Sequence, residues 1–427
     1  MRSKVLMRSL PARAVGAALC AMAGGMAMEG AAWAESGRVT EGVLFRPPSN
    51  EVGAAPAERH ARTFLRVVRP SMKGVQAGFK GGPPGLGYQV ETPASLLCIY
   101  RFTANVSGCN PNVVTNEGTG GSDVIAIVDA FDYVDAQSDL TAYSTQFGLP
   151  APTSKYFEKV YATGTAPASS SGTGWDIEAA LDIEMAHSLA PTAKVVLVEA
   201  ASSSFTDMFY AVTVAGGIVQ AAGGGEVSMS WGGSESSGET AWDSDLSGTT
   251  NVTYYAASGD SAGTIYPCAS PNVVCVGGLS ISRNPSTLAF LYELAWVDTG
   301  GGVSPYEPAL PYQTTAMRGM PDVSALADPN YDGVWVYNCT YEAACYWYQV
   351  GGTSAATPIT ASLDNRKGLF YASSADYLSA LYAGNLGDAT NVNPRTDIFT
   401  SYCGVNYSLL AGKGWDQCTG WGAPKDD

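Results

Sequence analysis

The stretch DVIAIVDA, residues 123–130, is apolar and β-branched on successive positions, so a strand made from it buries both of its faces. Further runs of the same kind follow as AKVVLVEA (193–200), EVSMSWG (226–232), NVTYYAAS (251–258) and NVVCVGG (272–278). Between the first of them stand helix-like segments at 174–189 and 204–215. Doubly buried strands separated by helices predict a parallel sheet covered on both sides. The fold class expected is therefore α/β, a three-layer domain whose central, mostly parallel sheet is flanked by helices.

The chain has 427 residues and a formal net charge of −16. It opens with Arg2, Lys4, Arg8 and Arg13, an apolar small-residue run from Ala14 to Met28, and Ala32-Trp33-Ala34. That pattern reads as a secretory signal peptide over 1–34, and later stretches are too short or too polar to span a bilayer. Its removal takes away four basic residues and one acid and leaves a net charge of −19. Nucleic acid and anionic membrane surfaces are poor partners for such a chain. Eight cysteines remain, and their spacing favours the pairs 98–109, 268–275, 339–345 and 403–418, although sequence alone leaves other connectivities open. Residues 35–90, with Pro47-Pro48 and Gly81-Gly82-Pro83-Pro84-Gly85, read as a linker or short pro-segment. The domain proper is expected over 91–427.

Chemistry is concentrated in three places. GGTSAATP (351–358) puts Ser354 at a helix N-terminus, with Pro358 expected in the first turn, where free N–H groups and the helix dipole favour negative charge. A serine nucleophile needs a base, but the exported chain has only His60 and His187. His60 falls in the 35–90 segment. In GWDIEAALDIEMAHSLAP (174–191), Glu178 and Asp182 lie four residues apart, about 40° apart around a helix, while His187 is about 180° from Glu178. Two acids on one apolar-flanked face repel unless they share a proton, which raises one of them into a useful range. YYAASGDSAG (254–263) sets Asp260 at the carboxyl end of a strand, where sites of open α/β sheets lie. The competing readings are an ordinary glycine-rich turn, a solvated acidic face and a turn aspartate.

Together these pieces resemble the sedolisins, the serine-carboxyl peptidases that are acid-acting relatives of subtilisin. The resemblance covers roughly 90–427. It rests on Glu178, Leu181 and Asp182 followed by Ala190-Pro191, on Ala257-Ser258-Gly259-Asp260-Ser261, on Pro321-Asp322-Val323-Ser324 with Ala327-Asp328-Pro329, and on Gly351-Gly352-Thr353-Ser354 with Pro358. Asp129 could stand for the acid of subtilisin itself, but no His-Gly-Thr follows it. The resemblance implies a subtilisin-like fold, Ser354 as nucleophile, Glu178 as general base, Asp182 as the acid that tunes it, and a protonated Asp260 in the oxyanion hole. It also implies one structural calcium, held by Asp397 and Asp416 carboxylates and by the main-chain carbonyls of Ile398, Gly412 and Gly414. Ser228 to Gly233 would form a cleft edge that pairs with extended substrate.

The function expected is that of a secreted, monomeric acid endopeptidase acting on polypeptides through an acyl-enzyme. The alternative is a weak or inactive peptide-binding protein on the same fold. It is raised by the short N-terminal segment and by the polar sequence ITASLDNRKGLF (359–370), where Asp364, Asn365, Arg366 and Lys367 are expected to point outward or to end the helix early.

Overall fold

The computed structural model describes residues 43–51, 59–69, 89–104, 107–112, 118–330, 332–384, 395–399 and 401–426. The expected signal peptide lies outside the described residues. Among the described residues no helix is long and apolar enough to cross a membrane.

An eight-stranded sheet organises the domain. From one edge its order is Phe157–Tyr161, Lys194–Ala200, Val124–Ala130, Gly225–Met229, Val252–Ala257 and Val274–Arg283, all parallel. Phe290–Ala295 closes the other edge antiparallel, and Val323–Leu326 also runs parallel to Val274–Arg283. The opening stretch shows how three layers arise from two-residue periodicity. Ile125 and Ile127 enter one core with the helices Trp175–Leu189 and Thr353–Lys367, whereas Ala126 and Val128 enter the other with Phe205–Ala222. Asp129 shares the parity of Ile125 and Ile127, so it faces the helix that carries Glu178 and Asp182. The chain turns back between Val124–Ala130 and Gly225–Met229, and a switch point of this kind is where open sheets place their sites.

Every residue of Trp175–Leu189 is buried, acids and histidine included. Most of those polar groups have local partners. Asp176 accepts from the backbone N–H groups of Gly172, Gly174 and Ile177, Glu184 accepts from Tyr337 N–H at 3.0 Å, and His187 Nε2 is 2.8 Å from Pro150 O. Glu178 and Asp182 each keep one buried oxygen without a partner, as His187 keeps its Nδ1. The helix expected at 204–215 extends over Phe205–Ala222, and Gly216 within it lies against Tyr254, whose hydroxyl would be 2.3 Å from any Cβ there.

Two expectations, on Pro358 and on Asp364 with Asn365, are corrected. Pro358 is the sixth residue of Thr353–Lys367, not a first-turn residue, and the carbonyl of Ser354 that it cannot bond instead lies 3.1 Å from Ser230 Oγ. Asp364 and Asn365 point inward: Asp364 accepts from Arg395, Tyr255 and Tyr377, and Asn365 donates to Glu226 and to Ser122 O. Only Arg366 and Lys367 emerge to the surface. Residues 59–69 are packed against the domain. Arg66–Arg69 forms a strand between Val43–Phe45 and Tyr346–Gly351, and Phe64, Leu65 and Val67 are buried. His60, expected in an irregular segment, bridges to Ser204 and is half-buried.

All four expected disulfides are formed: Cys98–Cys109, Cys268–Cys275, Cys339–Cys345 and Cys403–Cys418.

Candidate active site

Ser354, Glu178, Asp182 and Asp260 come together from three elements. The strand Tyr346–Gly351 leads through Gly352 into the serine helix, which packs on the central helix. Ser354 Oγ donates to Glu178 Oε2 at 3.0 Å and also lies 3.0 Å from Ser230 O. Ser230 Oγ is 2.8 Å from Asp182 Oδ1. Ser354, Glu178, Asp182, Ser230 and Asp129 are all at 0% exposure. Both histidines are committed elsewhere, His187 to Pro150 O and His60 to Ser203 Oγ at 3.3 Å.

Burial and mutual repulsion control the acids. Burial pushes Glu178 well above the ordinary carboxylate range, the charges of Asp182 and Asp129 push it further, and the Ser354 hydroxyl opposes them. Asp182 is driven up by burial and then by Asp129, against the hydrogen bond from Ser230. Asp129, with neither oxygen partnered, is pushed up to about 8 by burial. No cation is among the causes at Glu178, Asp182 or Asp129, so protons are the means by which this trio relieves its repulsion. The unpartnered Glu178 Oε1 and Asp182 Oδ2 are oxygens such a proton could serve.

Asp260 lies at the N-terminus of the serine helix. Its Oδ1 accepts from Thr353 N–H at 2.8 Å and Thr353 Oγ1 at 3.1 Å, and its Oδ2 accepts from Arg66 Nε at 3.3 Å. Burial raises it to about 6, with Arg66 and the Thr353 donors working against the rise. A carboxylic acid that keeps its proton in the acid range is the kind of group that can donate to a developing oxyanion.

Sequence reasoning treated Asp129 only as a stand-in for the acid of subtilisin and Ser230 only as part of a cleft edge. It did not find Arg66. No spacing rule singles these residues out, since Asp129, Ser230 and Arg66 reach the site from three separate parts of the chain.

The five expected calcium ligands share one loop cluster. Thr419 Oγ1 links Ile398 O (3.2 Å) to Asp416 Oδ2 (3.1 Å), and Asp397 Oδ2 accepts from Gly414 N–H at 2.8 Å. Asp397 Oδ1 is a buried oxygen without a hydrogen-bond partner, and a carboxylate oxygen is the type of donor a hard cation takes. Gly412 also offers Asp416 its N–H, at 3.1 Å, so both glycines direct N–H groups toward the acids here. Among the described residues there is no cluster of three or more metal-ligating side chains.

The serine bonded to a buried glutamate sits on helices that cover a mostly parallel sheet, a subtilisin-like arrangement. No protein-family model matches the chain. It is 28% identical to kumamolisin of Bacillus sp. (strain MN-32) over 413 residues, covering 85% of this chain and 66% of kumamolisin. It is 30% identical to sedolisin of Pseudomonas sp. (strain 101) over 181 residues, covering 39% of this chain and 29% of sedolisin. The solved structure of Pseudomonas sedolisin, described as a serine-carboxyl proteinase complexed with two molecules of pseudo-iodotyrostatin, superimposes with a TM-score of 0.62 at 22% identity, over 79% of this chain and 95% of that one. In sequence the chain is similar to members of the sedolisin family. It spans less than two thirds of the length of either curated relative.

Proposed function

We propose that this protein is an exported, acid-acting serine-carboxyl endopeptidase. The observation that carries the reading is the 3.0 Å hydrogen bond from Ser354 Oγ to a fully buried Glu178, in a site that neither histidine enters. Ser354 Oγ attacks the scissile carbonyl while Glu178 takes its proton. The tetrahedral oxyanion faces protonated Asp260 and the backbone N–H of Ser354. Glu178 then passes the proton to the leaving amine, and water, deprotonated by Glu178, cleaves the acyl-serine. Asp182 and Asp129 keep the base in a raised range by repulsion, and Asp260 can donate only while protonated, so activity belongs to acid solution. Extended polypeptide is the substrate, laid along the edge Trp231–Ser234. One calcium, on the Asp397 and Asp416 carboxylates and the carbonyls of Ile398, Gly412 and Gly414, would supply charge neutralisation and stiffness to the C-terminal loop. Export rests on the signal-like N-terminus and is supported by four disulfides.

The test is hydrolysis of an unfolded protein substrate from acid to neutral pH by the wild type, Ser354→Ala and Glu178→Ala, each checked for folding. Acid activity abolished by both substitutions supports the reading. A folded wild type that binds peptide but turns nothing over, with calcium supplied, supports the binding-protein alternative instead.

A further inference from the structure

The edge Trp231–Ser234 ends, away from the catalytic pair, in a group of acceptors that peptide hydrolysis itself does not use. Ser234 closes that strand and pairs with Ile265. Two residues later the chain turns at Ser236, whose N–H donates to Glu239 Oε2 at 2.5 Å, at the start of the 3-10 helix Glu239–Leu246. Glu239 is buried, and its Oε1 has no hydrogen-bond partner. Phe205, the first residue of its helix, adds an aromatic ring that is fixed edge-on to Phe209 and Trp231, with centroids 5.6 Å and 6.3 Å apart. These groups come from three separate parts of the domain, and each is held by contacts of its own.

What they hold is a guanidinium. Arg59 Nη1 donates to Ser236 Oγ at 2.9 Å, and its Nη2 donates to the Ser234 carbonyl and lies 3.7 Å from Glu239 Oε2. The guanidinium carbon stands 4.5 Å from the centre of the Phe205 ring. Two hydrogen bonds from adjacent nitrogens together with an aromatic face are what separates arginine from lysine in recognition. The backbone that delivers this side chain follows the path of an extended peptide: Phe205 N–H donates to Arg59 O at 2.8 Å, Ala61 N–H donates to Ser203 O at 2.7 Å, and Arg62 and Thr63 pair antiparallel with Gly232 and Trp231. Phe64 N–H then donates to Ser354 Oγ at 3.0 Å. Arg59 is five residues before Phe64, roughly 16 Å of extended chain, so it is the fifth or sixth residue before a bond on either side of Phe64.

Burial raises Glu239 to about 8; the Ser236 N–H opposes the rise, and the charges of Glu235 and Glu307 add to it. In acid Glu239 is therefore neutral, and a cation is chosen by the Ser234 carbonyl, the Ser236 hydroxyl and the Phe205 ring. We infer that Ser234, Ser236, Glu239 and Phe205 form an arginine-selective subsite for polypeptide substrates, entered by the fifth or sixth residue before the cleaved bond. The inference rests on the peptidase reading and names the side chain that the far end of its cleft selects.

The experiment digests a peptide library, made by cutting a proteome after acidic residues, with the full chain in acid, and aligns the products on the cleaved bond. Arginine should be enriched about fivefold over methionine at the fifth or sixth position before the bond, and lysine less. Ser236→Ala, at a half-buried position, removes one acceptor and should reduce the enrichment to about twofold. Phe205→Leu keeps the bulk without the ring face and should lower it as well, while preferences next to the cleaved bond stay as in the wild type. No arginine enrichment in the wild type, or an enrichment that neither substitution lowers, overturns the inference and leaves the peptidase reading intact. If Phe205→Leu does not fold, Ser236→Ala alone decides. A folded wild type that cuts nothing overturns the peptidase reading, and the subsite is then decided by binding of a synthetic peptide of residues 57–68 and of its Arg59→Met form. About fivefold tighter binding of the arginine peptide supports the subsite, and equal dissociation constants overturn it.

Discussion

Replacing Ser230 by alanine separates a positioned catalytic pair from two acids that merely share a helix. The Ser230 hydroxyl lies between Asp182 Oδ1 at 2.8 Å and Ser354 O at 3.1 Å, the latter being the carbonyl that Pro358 leaves unbonded. Both acceptors are buried, and a single hydroxyl proton serves them. Ser230→Ala therefore strands one buried acceptor, which costs about 1–3 kcal/mol. In a domain of this size that is a fall in Tm of several degrees, at about 2–4 °C per kcal/mol. The same change removes the hydrogen bond that opposes the rise of Asp182, so Asp182 holds its proton to higher pH and the pH profile of kcat/KM shifts with it. Thermal unfolding and a pH profile on a peptide substrate measure both effects. Ser228→Ala is the internal control. It lies two residues earlier, and its buried hydroxyl has no hydrogen-bond partner, so its loss should be close to neutral. Equal Tm values and superimposed profiles for Ser230→Ala and wild type would refute the reasoning.

Other consequences can be measured with the same protein. Asp129 and Glu199 are each pushed up to about 8 by burial, so the native state binds protons that the unfolded chain releases near pH 4. Their contribution to stability is complete below the unfolded values and lost as pH rises through 8; the urea midpoint should fall between pH 5 and pH 8, and a rise over that window contradicts the assignment. Asp364→Ala strands Arg395 in the interior and should cost about 3–5 kcal/mol in urea unfolding, whereas Asp364→Leu combined with Arg395→Met should recover most of the loss. Chelation should lower the Tm of the wild type but not that of Asp397→Asn with Asp416→Asn, and no response of the wild type would remove calcium from the account.

Much of this arrangement was legible in the sequence, and what escaped shares a physical character. The doubly apolar run 123–130 specified a strand with two cores, and its parity sorts Ile125 and Ile127 from Ala126 and Val128. The four-residue spacing of Glu178 and Asp182 put both on one helix face, where Ser354 and Ser230 meet them. Local rules failed where a polar residue finds its partner far along the chain. Asp364 and Asn365 look like surface residues until Arg395, Tyr255, Tyr377 and Glu226 are brought to them by the fold. Pro358 sits deeper in its helix than propensity allows, because Ser230, from the end of another strand, approaches the carbonyl it orphans. The segment 59–66 has no strong pattern of its own, and its order comes from the two edges between which it lies.

The most direct test of a carboxylate as the catalytic base uses a chain without histidine. His60→Asn with His187→Gln should still cleave an unfolded protein in acid, while Glu178→Gln in the otherwise intact chain should lose turnover by several orders of magnitude and remain folded. The account predicts activity in the first and none in the second. An inactive but folded histidine-free chain, or a Glu178→Gln protein of near wild-type activity, would contradict it.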